Sequence, residues 1–179
     1  VSASLRVVAT DALEERERGD LAALFQAAWP DGTFSARDWD HMLGGHHVVL
    51  ERDGAVVSHA AVVPRTLWVG DRAIASGYVE AMATRPERQG HGFGTEVLRA
   101  VNDLVRDTYD LGALCTGSQA FYARLGWEPW SGPLAVRARD GDVPTPDEDG
   151  NVMILRTPRT GRLAFRATLR CPWRPGDVW

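Results

Sequence analysis

Residues 79–98 carry the pattern with the most chemistry in it. An apolar strand, Val79-Glu80-Ala81-Met82-Ala83-Thr84, runs into Gln89-Gly90-His91-Gly92-Phe93-Gly94-Thr95, which opens an amphipathic helix. Glycines at this spacing let successive backbone N–H groups converge on one anion, where side chains would block the approach. The helix that follows adds its unsatisfied first-turn N–H groups and the positive end of its dipole, so a pyrophosphate is the natural guest. A Walker loop is excluded because the chain contains no lysine. The dinucleotide pattern G-x-G-x-x-G fails in both registers, meeting Thr95 from Gly90 and Val97 from Gly92. Within the same strand, Glu80 is a carboxylate among Val79, Ala81, Met82 and Ala83, where it needs compensation or a task. It is either the structural partner of an arginine or a group available for proton transfer. Period-two alternation predicts Glu80 and Met82 on one face of the strand.

What remains after these exclusions resembles the coenzyme A signature (Gln/Arg)-x-x-Gly-x-(Gly/Ala) of the GNAT superfamily of N-acetyltransferases, here Gln89, Gly92 and Gly94. A second stretch, Ala120-Phe121-Tyr122-Ala123-Arg124-Leu125-Gly126-Trp127, is similar to that superfamily's helix carrying a tyrosine followed by Gly-Phe/Trp. The resemblance implies acetyl-CoA as cofactor. Met82, Ala83 and Thr84 would hold its pantetheine arm along the strand edge. Gln89, Gly90, His91, Gly92, Phe93, Gly94 and Thr95 would hold the pyrophosphate. It also implies Tyr122 as the acid that protonates the departing thiolate, a role a phenol of pKa ~10 can fill at neutral pH.

Further stretches widen the likeness. Trp39-Asp40-His41-Met42-Leu43-Gly44-Gly45, Gly77-Tyr78-Val79-Glu80, Gly126-Trp127-Glu128-Pro129-Trp130 and the final Gly176-Asp177-Val178-Trp179 resemble the aminoglycoside 2'-N-acetyltransferases, and this resemblance covers nearly the whole length. It implies a substrate pocket with Asp38, Asp149 and Asp177 against ammonium groups, Glu80 as base, Cys115 on the substrate side, and Trp179 contributing its indole and carboxylate to the catalytic site. It also implies a homodimer. The chain departs from that pattern at Thr33, where the family has aspartate, with Asp31 displaced by two residues, and at Cys115, where the family has serine. Such changes fall on the acceptor side and point to a smaller aminoglycoside such as kasugamycin. The rival readings are a GNAT enzyme of another small amine, or a non-catalytic protein that binds acyl-CoA or the antibiotic.

Composition is compatible with these readings. A net charge of -4 and a pI near 5.7 argue against nucleic acid as main partner and suit a cationic substrate. Cys115 and Cys171 have no zinc or disulfide spacing, so no metal is expected. No apolar run is long enough to span a bilayer, and a cytoplasmic protein with no membrane partner is the expectation.

The elements that must position these groups follow from periodicity. A first strand at Leu5–Val8 precedes a helix from about Leu13 to Ala28, capped by Thr10 or Asp11, and a short helix opened by Ser35. Strands His47–Arg52, Ala55–Val69 and Arg72–Thr84 are separated by the hairpin signals Asp53-Gly54 and Gly70-Asp71. Helix 97–109, a strand at 111–116, helix 119–125, a strand at 127–137 and a last strand at 151–155 complete the chain. The acidic loop 140–150 and the tail 156–179 show little periodicity. The order predicts one α/β (mixed α+β) domain over 1–179. With the resemblance it implies the GNAT fold, a largely antiparallel central sheet flanked by helices with a splayed strand pair for coenzyme A.

Overall fold

A computed structural model describes residues 3–179. The chain divides into two compact units, Val1–Val63 with Val79–Val101, and Pro64–Tyr78 with Asn102–Trp179, and passes from one to the other inside two strands and one helix.

In the first unit, β1 (Ala3–Ala9) pairs antiparallel with β2 (His46–Arg52), which pairs antiparallel with β3 (Ala55–Val69). The β2–β3 turn is Asp53-Gly54, both with positive φ (53° and 78°). Two such residues give the primed turn whose twist matches the strands it joins. Helix α1 (Glu15–Ala28) begins later than periodicity predicts. Thr10–Ala12 form a 3-10 turn, and the cap is Glu14 in a capping box with Glu17 rather than Thr10 or Asp11. The Thr10 hydroxyl is taken by another partner, described below. Helix α2 (Ala36–His41) is capped by Ser35 as predicted, with Asp38 completing the box. Leu21, Leu24, Phe25, Met42, Val49, Val56 and Ala61 form the core of this unit. Burial of each larger side chain contributes about 1.5–3 kcal/mol.

The two-unit boundary falls within β4 (Arg72–Thr84) and within α3 (Phe93–Thr108). Along α3, Val97, Leu98, Val101 and Val105 are all fully buried, a stripe at helical spacing.

In the second unit, β5 (Leu111–Cys115) runs parallel to β4 over Ser76–Tyr78 only and antiparallel to β9 (Val152–Arg156). The pairing of β4 with β5 therefore stops well short of the end of β4 at Thr84. Helix α4 (Gln119–Ala123) follows β5. The strand expected over 127–137 is two pieces, β6 (Glu128–Pro129) beside β9 and β7 (Leu134–Ala138), interrupted by Ser131-Gly132-Pro133. Proline and glycine there remove a ladder donor and a side chain. The acidic loop contains a strand, β8 (Gly141–Pro144), hairpinned to β7. The tail also contains a strand. β10 (Leu169–Pro172) inserts between β3 and β7, antiparallel to one and parallel to the other.

Candidate functional site

The end of β4 is not a plain strand. Ala81 has φ 49°, in the left-handed region, which costs a residue with a Cβ about 1–2 kcal/mol. The expected alternation therefore does not run through this point. Glu80, Ala81 and Met82 are all half-buried between the buried Val79 and Ala83, where a regular strand would alternate. Side chains of β3 bind the carbonyls of this segment. The Ser58 hydroxyl donates to Ala83 O (2.9 Å), and His59 Nδ1 lies 3.0 Å from Ala81 O. Ser58 Oγ also lies 2.8 Å from Thr84 Oγ1.

Beyond Thr84 the chain is fastened before it turns. Arg85 donates from its backbone N–H to Val57 O (2.9 Å) and from Nε to Val56 O (2.7 Å). The Gln89 amide donates back to Thr84 O (3.3 Å). After a 3-10 turn at Pro86–Arg88, Gly90 and Gly92 take φ 78° and 83°, and a Cβ on either would meet nothing within 4 Å. The turn is thus open to solvent at both glycines, with no side chain over its backbone. Gln89 to Gly92 are exposed, and Phe93 starts the 16-residue α3, so its first-turn N–H groups lie directly after the glycines. Glu96 places a negative charge in that first turn. Arg52 Nη2 binds both of its carboxylate oxygens, at 2.7 and 3.0 Å, and its guanidinium lies over the Phe93 ring. That pairing offsets a charge which would otherwise repel an anion.

Asp38, also in this unit, accepts from Ser35 N–H (2.6 Å) and Ser35 Oγ–H (2.7 Å) through Oδ2. At the departure from the resembled pattern, Asp31 Oδ1 accepts from both the N–H (3.2 Å) and the hydroxyl (2.9 Å) of Thr33. These bonds hold the Asp31 carboxyl below its ordinary range.

The remaining expected residues lie in the second unit. Tyr122 is buried against Phe121 and Trp127, and desolvation pushes its phenol up to about 12, so the ring is neutral throughout the physiological range. Asn102 braces this helix, donating to Leu125 O (2.9 Å) and accepting from the Trp127 indole (2.8 Å). Cys115 Sγ donates to Glu148 Oε2 (3.4 Å), so it acts as a thiol beside a carboxylate. Asp149 Oδ1 accepts from Leu134 N–H (3.0 Å), and Asp177 Oδ1 accepts from Trp179 N–H (3.4 Å). Asp149 thus ties its loop to the start of β7, and Asp177 uses one oxygen within the tail itself. Trp179 is 3% exposed. Its indole donates to Thr145 Oγ1 (2.8 Å), and its main-chain oxygen accepts from Arg174 (3.3 Å). The expected open indole and carboxylate are thus both engaged, because the tail folds back under Arg65, which donates to Val178 O (2.8 Å).

The structure brings Glu80, Met82, Ala83, Thr84 and Gln89–Thr95 onto one continuous strand, turn and helix. Sequence reasoning missed His47, His59 and Thr10, which back this strand, and Glu148, Thr145, Arg65 and Arg174 around the second set. A histidine inside the apolar run Val56–Val63 was the available signal. Among the described residues, no group of three His, Cys, Asp or Glu could hold a metal, and no helix is long and apolar enough to cross a membrane.

Comparison with known proteins agrees with this geometry. Residues 9–130 match the family model described as acetyltransferase (GNAT) domain. The aminoglycoside 2'-N-acetyltransferase of Mycolicibacterium fortuitum is 39% identical over 97% of this chain and 91% of its own length. Among solved structures, the GNAT family N-acetyltransferase YhbS of Escherichia coli, in complex with CoA, superposes with a TM-score of 0.64 at 16% identity, covering 94% of this chain and 89% of that one. A GCN5-related N-acetyltransferase from Kribbella flavida gives 0.59 at 23% identity over 73% of this chain. This chain spans only 35% of that protein's length.

Proposed function

Since the chain belongs to the GNAT acetyltransferase family, we propose that it transfers the acetyl group of acetyl-CoA to the 2'-amino group of an aminoglycoside, and thereby confers resistance. The observation that carries the reading is the exposed glycine turn that leads directly from the Glu80 strand into α3. Its backbone, uncovered by side chains, leaves room for a pyrophosphate, and the likeness to the Mycolicibacterium fortuitum protein supports the acceptor.

Bound acetyl-CoA supplies an activated thioester. Gln89, Gly90, His91, Gly92, Phe93, Gly94 and Thr95 hold its pyrophosphate, and the edge of Met82, Ala83 and Thr84 satisfies the pantetheine amides. Glu80 accepts the proton of the attacking amine, directly or through water, and the Met82 N–H polarises the thioester carbonyl. Tyr122, kept neutral by burial, protonates the thiolate. Asp38, Asp149 and Asp177 meet ammonium groups through carboxylates already held by backbone N–H groups of Ser35, Leu134 and Trp179. Trp179 acts from its buried position beside Thr145 rather than as an open stacking face. Attack takes place in a ternary complex. The thiol of Cys115 lines the acceptor side beside Glu148, and direct attack by the amine needs no acyl intermediate on it.

The Asp31–Thr33 turn stands where the resembled pattern has an aspartate, which supports a smaller acceptor of kasugamycin type. The reading includes one catalytic domain over the whole chain, a homodimer and a cytoplasmic setting. Light scattering tests the dimer.

The test is release of free thiol from acetyl-CoA with kasugamycin, gentamicin and kanamycin. Acetylation of gentamicin without kanamycin, whose 2' position carries a hydroxyl, fixes the regiochemistry. Turnover of kasugamycin alone supports the narrowed acceptor, and equal turnover of gentamicin and kasugamycin removes it. No turnover with any of them refutes the aminoglycoside reading.

A further inference from the structure

The strained Ala81 is the terminus of a buried hydrogen-bond series whose direction is fully determined. Ala81 O can only accept, so His59 Nδ1 carries the hydrogen across their 3.0 Å contact. His59 and His47 are both completely buried, and desolvation lowers them to about 3 and about 4, so each ring is neutral with one N–H. His59 Nε2 therefore accepts, and His47 Nδ1, 3.0 Å away, must donate. His47 Nε2 accepts in turn from Thr10 Oγ1–H at 2.9 Å. Thr10 Oγ1 receives the N–H groups of Gly44 (3.0 Å) and Gly45 (3.2 Å), and Gly45 O, at 3.2 Å, is a second and longer acceptor for its one hydrogen. The series runs from two backbone amides at the end of the α2 loop to one backbone carbonyl in β4, and its direction is fixed from His47 through His59 to Ala81 O. Phe25 packs edge-on against the His59 ring and limits its rotation. The charged and titratable groups acting on the pair are Arg18, Glu17 and His46 on His47, and His47 on His59.

A peptide unit is planar and trans, so its C=O and N–H point in opposite directions. Holding Ala81 O against His59 turns the Met82 N–H to the opposite side, away from the His59 ring. We infer that His59, oriented by His47 and Thr10, is a positioning residue for acetyl transfer: it fixes the Ala81–Met82 peptide so that the Met82 N–H is aimed at the thioester carbonyl. This rests on the acetyl-transfer reading above. It adds a reason for the strain at Ala81, since a left-handed non-glycine residue persists only where its surroundings over-determine it. It also accounts for two adjacent neutral histidines that take no part in proton transfer.

Two independent measurements test it on the full chain. Long-range proton–nitrogen correlation spectra of protein labelled with nitrogen-15 histidine, near neutral pH, should show His47 and His59 both neutral and protonated at Nδ1. Protonation of His59 at Nε2 overturns the assignment. In kinetics, His59→Asn keeps an N–H donor at the δ position, whereas His59→Gln carries its amide at the ε position. The asparagine variant should keep kcat within about five-fold of wild type and the glutamine variant should lose about thirty-fold, with KM for acetyl-CoA changed less than about three-fold in both. Equal losses of kcat in the two variants overturn the positioning role. Where neither variant folds, Thr10→Val removes the donor to His47 together with the acceptor of the Gly44 and Gly45 N–H groups, and leaves both histidines in place. It should lower kcat about five-fold at unchanged acetyl-CoA affinity, and an unchanged kcat overturns the proposal. A wild-type protein with both Nδ1 tautomers but no acetyl transfer to any amine marks failure of the functional reading. An active enzyme with the other His59 tautomer marks failure of the series itself.

Discussion

Replacing Gly92 by alanine separates a phosphate cradle from a mere turn. Gly92 has φ 83° and a Cβ there meets nothing within 4 Å, so the only cost to folding is backbone strain, about 1 kcal/mol. For a chain of 179 residues that lowers Tm by about 2–4 °C. The cost to coenzyme binding is larger if pyrophosphate oxygens approach the turn to hydrogen-bond distance. The added methyl then displaces one or two charge-assisted hydrogen bonds, worth about 1.5–3 kcal/mol each. That corresponds to a rise in Kd for coenzyme A of about 10- to 150-fold for a single bond lost. Gly54 supplies the control, because it has nearly the same φ, 78°, and the same empty Cβ position, but sits in the β2–β3 hairpin. Gly54→Ala should therefore lose a similar Tm while binding coenzyme A normally. Isothermal titration with coenzyme A beside thermal unfolding reads both quantities for the three proteins. The reasoning is refuted if Gly92→Ala binds coenzyme A within two-fold of wild type while its Tm falls as that of Gly54→Ala does.

Four further outcomes are expected. Tyr122→Phe should lower kcat about 100-fold with little change in coenzyme A affinity, and unchanged turnover would remove Tyr122 from the mechanism. Cys115→Ala should keep kcat within about three-fold, whereas loss of turnover at normal acetyl-CoA binding would restore a covalent acyl-cysteine route. Asn102→Leu strands the Trp127 indole N–H and Leu125 O, both bonded to Asn102 now, and should cost about 3 kcal/mol, or roughly 6–12 °C in Tm. Acid should weaken the fold through His47 and His59, whose folded values near 4 and 3 lie below the unfolded 6.5. Their contribution is complete above pH ~6.5 and falls toward the folded values, because the unfolded chain then binds protons the folded chain refuses. Each contributes about 1.4 kcal/mol per pH unit. Urea midpoints between pH 7 and 5 should fall less steeply in His59→Gln, and parallel slopes would contradict the linkage.

How far the sequence could be read depends on the range of the forces involved. The hairpins at Asp53-Gly54 and Gly70-Asp71, the stripe of α3 and the glycine turn were legible because each depends on local backbone freedom or on one element's periodicity. The glycines by themselves suggested only an anion site, and the cofactor class came from the resemblance to the GNAT superfamily. The Thr10 cap failed for a definite reason. Its hydroxyl had a partner far along the chain in His47, and only the folded state could bid for it over the helix.

The tail shows the same limit. Leu169–Pro172 has no strand signal of its own and becomes β10 because β3 and β7 offer it two open edges. Alternation through Glu80 and Met82 likewise depended on a uniform strand, and Ala81 breaks it because His59 on a neighbouring strand holds its carbonyl in a left-handed turn. The sequence by itself determined the glycine turn, the placing of Glu80 on the strand before it and of Tyr122 on a later helix, and most of the order of elements, all set by neighbours in the chain. Only the tertiary structure decided which way the Ala81–Met82 peptide faces, that Trp179 is buried against Thr145, and which acids fix loops. The bonds that decide them at Ala81, Trp179 and Asp149 join residues 15 to 34 positions apart, and no local pattern encodes them.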